Sequence, residues 1–168
     1  MQTERLQADD AGFARAAAIL QNGGLVGMPT ETVYGLAGNA LDGAVAKKIY
    51  AAKGRPSDNP LIVHIAAFSQ LATLVQTVPP AAEKLAEAFW PGPLTIILPK
   101  ADCIPDAVSA GMPTVAVRFP SHPAAQRLIR ESGLPLAAPS ANLSGRPSPT
   151  TAAHVLHDLG GRIDAVLD

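Results

Sequence analysis

Two apolar runs near the amino terminus, Leu25-Val-Gly-Met28 and Val33-Tyr-Gly-Leu-Ala37, are separated by only four residues. A parallel connection needs a dozen or more residues, so these two strands cannot be joined by a helical crossover. Further strand-like runs at 61–65, 94–98, 114–119, 134–138 and 163–167 alternate with helical patterns. Alternation of this kind implies a layered α/β domain, and the short first connection makes its sheet mixed.

The helices announce themselves by caps and stops. Asp9 or Asp10 can cap a helix with apolar face Phe13, Ala16, Ala17 and Leu20, closed by Gly23-Gly24. Asp42 can cap a second, with Val45, Ile49 and Ala52 on one face, ending at Lys53-Gly54. Ser69 and Pro80 begin two more, the second burying Ala82, Leu85 and Phe89 before Trp90-Pro-Gly-Pro93. Helices follow over about 123–132 and 151–159, each stopped by glycine. Residues 99–113 show no period and carry Pro99, Pro105, Gly111 and Pro113, so they are expected to form a long loop and a mobile lid.

The chain has 168 residues, 48% apolar and 16% charged, the length and composition of one domain burying roughly two thirds of its unfolded surface. A formal net charge of -1 argues against a strongly basic nucleic-acid module, and seven aromatics are few for a base-stacking platform. Cys103 is the sole cysteine, which precludes an intrachain disulfide and fits a reducing compartment. The amino terminus lacks a signal-peptide layout, and no apolar run approaches the roughly 18 residues of a membrane span. The expectation is a soluble, cytoplasmic protein.

Chemistry-bearing residues gather in two loops. Lys53-Gly-Arg-Pro-Ser-Asp-Asn-Pro60 combines two cations with two prolines, which stiffen the loop and project Arg55 and Asn59. Pro139-Ser-Ala-Asn-Leu-Ser-Gly-Arg-Pro-Ser148 supplies hydroxyl and amide donors of the kind used around phosphates and sugars. With the Thr30-Glu-Thr32 break, these segments each border a strand, where ligand crevices of open α/β sheets lie. An anionic small molecule is the first expectation.

Bland readings stand beside these. Lys53 and Arg55 also suit a solvated helix C-terminus, and Pro139-Ser-Ala-Asn142 also suits a capping turn. His64, alternating with Ile and Val, reads as a core or edge histidine. Arg118, on a similar strand, needs an anion: a bound carboxylate or an internal Asp or Glu. His154 and His157, with Asp158 nearby, read as a solvated helix face rather than a metal site, because no cysteine or carboxylate cluster completes the set. No lysine follows a glycine, which excludes a Walker A loop, and neither Gly-x-Ser-x-Gly nor Ser-x-x-Lys occurs.

Taken together, Pro29-Thr-Glu-Thr-Val-Tyr-Gly-Leu36, Lys53-Gly-Arg-Pro56, Asn59-Pro-Leu61, Trp90-Pro-Gly-Pro-Leu-Thr95, Val115-Ala-Val-Arg118, Pro139-Ser-Ala-Asn142 and Ser148-Pro-Thr150 resemble the threonylcarbamoyl-AMP synthase family, the YrdC-like domain. The resemblance implies a twisted mixed sheet flanked by helices (the YrdC-like, DHBP synthase-like fold) with a concave cavity. It implies L-threonine, bicarbonate or CO2, and ATP as substrates, Mg2+ accompanying the nucleotide, and no tightly bound cofactor. It implies threonylcarbamoyl-AMP and pyrophosphate as products, with the adduct passed to tRNA by a threonylcarbamoyl-transferring protein complex.

By the same likeness Thr32, His64, Arg118 and Ala138 contact threonine, with Arg118 on its carboxylate. Arg55, Asn59, Thr114, Ser140 and Ser148 contact ATP. The signature residues Lys53, Arg55, Ser140 and Asn142 form the catalytic set, and no metal ligands are expected from the protein. Long-form relatives continue past the equivalent of Leu167-Asp168 with a Glu-Ser-Thr segment that returns to the site. The resemblance therefore implies one YrdC-like domain over 1–168, truncated at its C-terminus and binding its substrates weakly. Two alternatives stay open: a YrdC-like RNA-binding module without catalysis, marked by salt-sensitive tRNA affinity, and a carbamoyl-AMP-forming domain of the hydrogenase-maturation type.

Overall fold

A computed structural model describes residues 1–56 and 59–168. In the described residues eight strands form one sheet in the order β1-β8-β2-β3-β7-β4-β6-β5. The strands are β1 (Glu4–Leu6), β2 (Val26–Met28), β3 (Gly35–Asn39), β4 (Ile62–His64), β5 (Thr95–Pro99), β6 (Thr114–Arg118), β7 (Leu136–Ala137) and β8 (Ala165–Leu167). The sheet is mixed. β2 and β3 pair antiparallel, as their short connection demands, whereas β1–β8, β2–β8 and β4–β6 are parallel. β1 has no counterpart in the sequence reading: Glu-Arg-Leu offers a single apolar residue and forms a strand only because β8 lies beside it.

Seven helices are described: α1 (Asp10–Gln21), α2 (Gly43–Lys53), α3 (Phe68–Leu74), α4 (Pro80–Phe89), α5 (Asp106–Ser109), α6 (Pro123–Ser132) and α7 (Ala152–Leu159). Asp9 caps α1 by accepting from Gly12 N–H at 2.8 Å, and Asp42 caps α2 by accepting from Ala44 N–H at 2.9 Å. Each cap satisfies a donor that the first helical turn leaves unpaired. At the other end of α2, Gly54 adopts φ +63°, and the Arg55 N–H closes onto the Tyr50 carbonyl at 3.0 Å. That left-handed residue turns the chain out of the helix and aims Arg55 back toward the sheet.

The two faces of the sheet are covered unequally. α1 and α6 pack Phe13, Ala16, Leu20, Ala125, Leu128 and Ile129 against Val26, Met28, Leu136 and Leu167 on one face. α2 and α7 cover the other, setting Val45, Ile49, Val155 and Leu159 against Leu36, Val63 and Val117. Residues directly opposed across a ladder share a face. Leu136, His64, Arg118 and Thr95 are opposed in that order, so all four lie on the α1–α6 face. There the helical cover stops at β4, leaving Ile97 of β5 64% exposed. The functional crevice sits at that boundary.

Two expectations are corrected. Residues 99–113 are not a loose lid: Ile104 and Val108 are buried, and the Leu61 N–H bonds the Val108 carbonyl at 2.9 Å. Lys100 Nζ ties the segment together, donating to the Ile104 carbonyl at 3.3 Å, Ser109 Oγ at 2.9 Å and Asp106 at 2.6 Å. On α4, Ala82 and Ala86 are buried, while Leu85 and Phe89 are 42% and 58% exposed. Trp90, just beyond, makes the aromatic contact instead, 6.4 Å from Phe119. Among the described residues no helix is long and apolar enough to cross a membrane.

Candidate functional site

Three separate stretches of sequence and two adjacent strands converge on one cavity of about 250 Å³. Thr30 comes from the β2–β3 connection, Arg55 and Pro60 from the loop after α2, and Ala138, Pro139 and Ser140 from the end of β7. His64 and Arg118 reach it as register partners at the C-terminal ends of the parallel strands β4 and β6. Of the residues singled out in the sequence, Arg55, His64, Arg118, Ala138 and Ser140 line this one space. The stiff loop around Arg55 is described except at Ser57 and Asp58, which lie outside the described residues.

The anion that half-buried Arg118 requires is internal. Its Nη2 donates to Glu31 Oε1 at 2.5 Å, and both terminal nitrogens stand 3.4 Å from Thr32 Oγ1. The other Glu31 oxygen accepts from the Ser121 N–H at 2.6 Å and the Ser121 hydroxyl at 2.7 Å. Burial would raise the Glu31 carboxyl, but the Ser121 donors and then the Arg118 charge hold it below the ordinary carboxylate range. Glu31 is the residue that sequence reasoning missed. The only hint was the unmet charge of Arg118, and its partner lies 87 residues away.

His64 satisfies both readings made of it. It is buried, with Nδ1 3.1 Å from the Ile62 carbonyl, and it also walls the cavity. Burial, reinforced by the nearby Arg118 charge, pushes its pKa down to about 4. At neutral pH the cavity therefore presents an uncharged imidazole.

Lys53 and Asn142 serve from behind. The Lys53 ammonium donates to the Ser140 carbonyl, to the Asn142 carbonyl at 2.9 Å and to Asn142 Oδ1 at 3.5 Å. In return the Ser144 N–H bonds the Lys53 carbonyl at 3.0 Å. Asn142 Nδ2 donates to the Leu143 and Arg146 carbonyls at 2.8 and 2.9 Å, closing the loop upon itself. Burial pushes Lys53 down to about 8, with Arg55 adding and Asp158 opposing, which leaves it charged at neutral pH. These two signature residues staple the two polar loops together and set where Ser140 stands.

The remaining positions lie apart from this lining. Asn59 is exposed, its carbonyl accepting from Tyr50 OH at 2.6 Å. Thr114 shares the face of Arg118 but opens the same strand, paired with Pro99, four residues or about 13 Å away. Ser148 lines a neighbouring cavity of about 420 Å³ with Arg146, His154, His157 and Asp158. His154 and His157 are exposed, as a solvated helix face would have them. Among the described residues no group of three or more His, Cys, Asp or Glu side chains converges to hold a metal ion.

Residues 18–168 match the family described as "Telomere recombination", Sua5_yciO_yrdC. The chain is 59% identical to the threonylcarbamoyl-AMP synthase of Bacillus subtilis, over 99% of this chain and 48% of that one. It is 55% identical to the threonylcarbamoyl-AMP synthase of Pyrococcus abyssi, over 91% of this chain and 45% of that one. A crystal structure of P. abyssi Sua5 complexed with L-threonine superposes with a TM-score of 0.95 at 49% identity, covering 100% of this chain and 50% of that one. Escherichia coli YciO, at 23% identity and a TM-score of 0.86, shares the fold over 99% of this chain and 82% of its own. The chain thus spans about half the length of the curated relatives it matches.

Proposed function

The chain belongs to the Sua5/YciO/YrdC family, and on that premise we propose that it is an L-threonylcarbamoyladenylate synthase. It joins L-threonine, bicarbonate or CO2, and ATP into threonylcarbamoyl-AMP and pyrophosphate. The observation that carries this reading is the shared cavity of Arg55, His64, Arg118, Ala138 and Ser140. Its volume of about 250 Å³ lies just under the roughly 300–1,000 Å³ of drug-sized ligand sites, a size for an amino acid rather than a whole nucleotide.

In this reading Arg118 receives the carboxylate of threonine. The neutral imidazole of His64 and the hydroxyl of Thr32 receive its side chain without competing for that charge. The amine nitrogen bonds the carbon of CO2 and loses a proton, giving a carbamate. A carbamate oxygen then attacks the α-phosphorus of ATP, and the bond from that phosphorus to the bridging oxygen breaks, releasing pyrophosphate. Arg55 and Ser140 sit where charge builds on the transferring phosphorus, and the nucleotide extends toward Ser148, Asn59 and Thr114. Such a step needs positioning and charge neutralisation, with no covalent enzyme intermediate. Mg2+ would accompany the nucleotide and neutralise part of the charge of its triphosphate.

The adduct then passes to tRNA through a threonylcarbamoyl-transferring protein complex, work that belongs to the cytoplasm. The test is mass spectrometry of protein, threonine, bicarbonate and ATP, with each omitted in turn and with Arg55→Ala and Ser140→Ala as controls. Threonylcarbamoyl-AMP should form only with all components and with the unaltered protein. An adduct made as readily from alanine, or none from the full mixture, refutes the reading.

A further inference from the structure

Arg118 is a half-buried cation whose donors are only partly used. Its side chain is 11% exposed, yet of the five guanidinium N–H donors only the Nη2 bond to Glu31, at 2.5 Å, is short. The contacts to Thr32 are 3.4 Å, and Nε is buried with no hydrogen-bond partner among the described residues. A buried donor without a partner is costly, and such an orphan in a native fold calls for an explanation. Glu31 itself is fully engaged, with Arg118 on one oxygen and both donors of Ser121 on the other.

Two roles are open to a carboxylate so placed. It can occupy the place of the ligand's carboxylate and leave when the ligand arrives, or it can stay and hold the guanidinium for the ligand. Leaving would break two charge-assisted bonds to Ser121 as well as the ion pair, each roughly twice as strong as a neutral hydrogen bond. Staying breaks nothing and leaves Nη1, whose contact with Thr32 is exposed, for the newcomer. Glu31 does not line the cavity, so it acts through Arg118.

We propose that Glu31 is a positioning residue: anchored by Ser121, it fixes Arg118 in the cavity wall with Nη1 open to the carboxylate of the amino acid substrate. This rests on the reading that the cavity binds threonine. Ser121 lies just ahead of α6, so the anchor makes the helix that ends the covered part of the sheet also set the angle of the anion-binding arginine.

The test uses Glu31→Ala and Glu31→Gln in the full chain, with threonine and ATP affinities by calorimetry and with kcat and KM from turnover. Glu31→Ala should raise the Kd and KM for threonine about tenfold or more, while the ATP Kd stays within about twofold and kcat at saturating threonine changes less than KM. Glu31→Gln keeps one acceptor oxygen, puts an NH2 donor in place of the other and removes the charge, and should recover part of the loss. Threonine binding unchanged or tighter in Glu31→Ala would overturn the proposal, as would equal losses of threonine and ATP. If Glu31→Ala does not fold, Glu31→Gln with a parent-like melting curve is judged by the same ratio.

A parent protein that converts no threonine would refute the proposed function alone. Acetate, a bare carboxylate, then serves as the probe, followed by the 15N–1H resonance of Arg118 Nε. A shift in the parent that is lost in the Glu31 variants supports the positioning role, and an equal shift in both, or none in the parent, overturns it.

Discussion

Acid should unfold this protein through one buried ring. His64 is 2% exposed, and its pKa in the folded protein is pushed from the ordinary 6.5 to about 4. Between those values the unfolded chain takes up a proton that the folded chain refuses, so stability falls as pH drops from about 6.5 to about 4 and levels off below. The fall from 6.5 to about 4 amounts to about 3–4 kcal/mol. That is a large share of the roughly 5–15 kcal/mol typical of a folded domain. Urea titrations across this pH range should show the midpoint falling, and His64→Gln, which cannot titrate, should flatten the fall by about that amount. Carboxylates contribute to both proteins, so the difference isolates the ring. Parallel curves for the two proteins would refute the argument, and so would a stability that rises toward acid.

Lys53→Met should lower stability by about 2–3 kcal/mol, because the carbonyls of Ser140 and Asn142 lose their donor; chemical denaturation measures it, and a loss below about 0.5 kcal/mol would show that the staple is dispensable. Gly38→Ala sets a methyl 2.6 Å from Val45 Cγ1 and 3.0 Å from Leu25 Cδ2, so overpacking should remove about 1–3 kcal/mol, read as a lowered melting temperature. Ser148→Ala should weaken ATP binding several-fold in calorimetry while leaving threonine untouched, since Ser148 stands in the neighbouring cavity; a matching loss of threonine affinity would contradict that separation.

The parts legible in the sequence were those with local causes. Asp9 and Asp42 cap where short polar residues precede an apolar period, and the close spacing of the 25–28 and 33–37 runs dictated an antiparallel pair and hence a mixed sheet. The antiparallel strand itself begins two residues later than its apolar run, at Gly35, because Tyr34 is taken up by a bond to the Pro149 carbonyl. What stayed hidden depended on distant partners. β1 needs β8, Glu31 needs Arg118 and Ser121, and the 99–113 segment is held by Lys100 rather than by any period of its own. Arg55 and Ser140 were found by the residue types in their loops, while the roles of Lys53 and Asn142 became visible only once both loops stood side by side.

The strand order carries a consequence for how the molecule is made. β8 lies between β1 and β2, so these two strands, near neighbours in sequence, are strangers until residues 165–167 slot in between them. Until residues 165–167 are made, the earlier segment keeps an unzipped β2 margin, the kind of bare backbone to which chaperones and neighbouring nascent chains attach. β1 and β2 are thus joined only through this late wedge, which zips onto both of them at once.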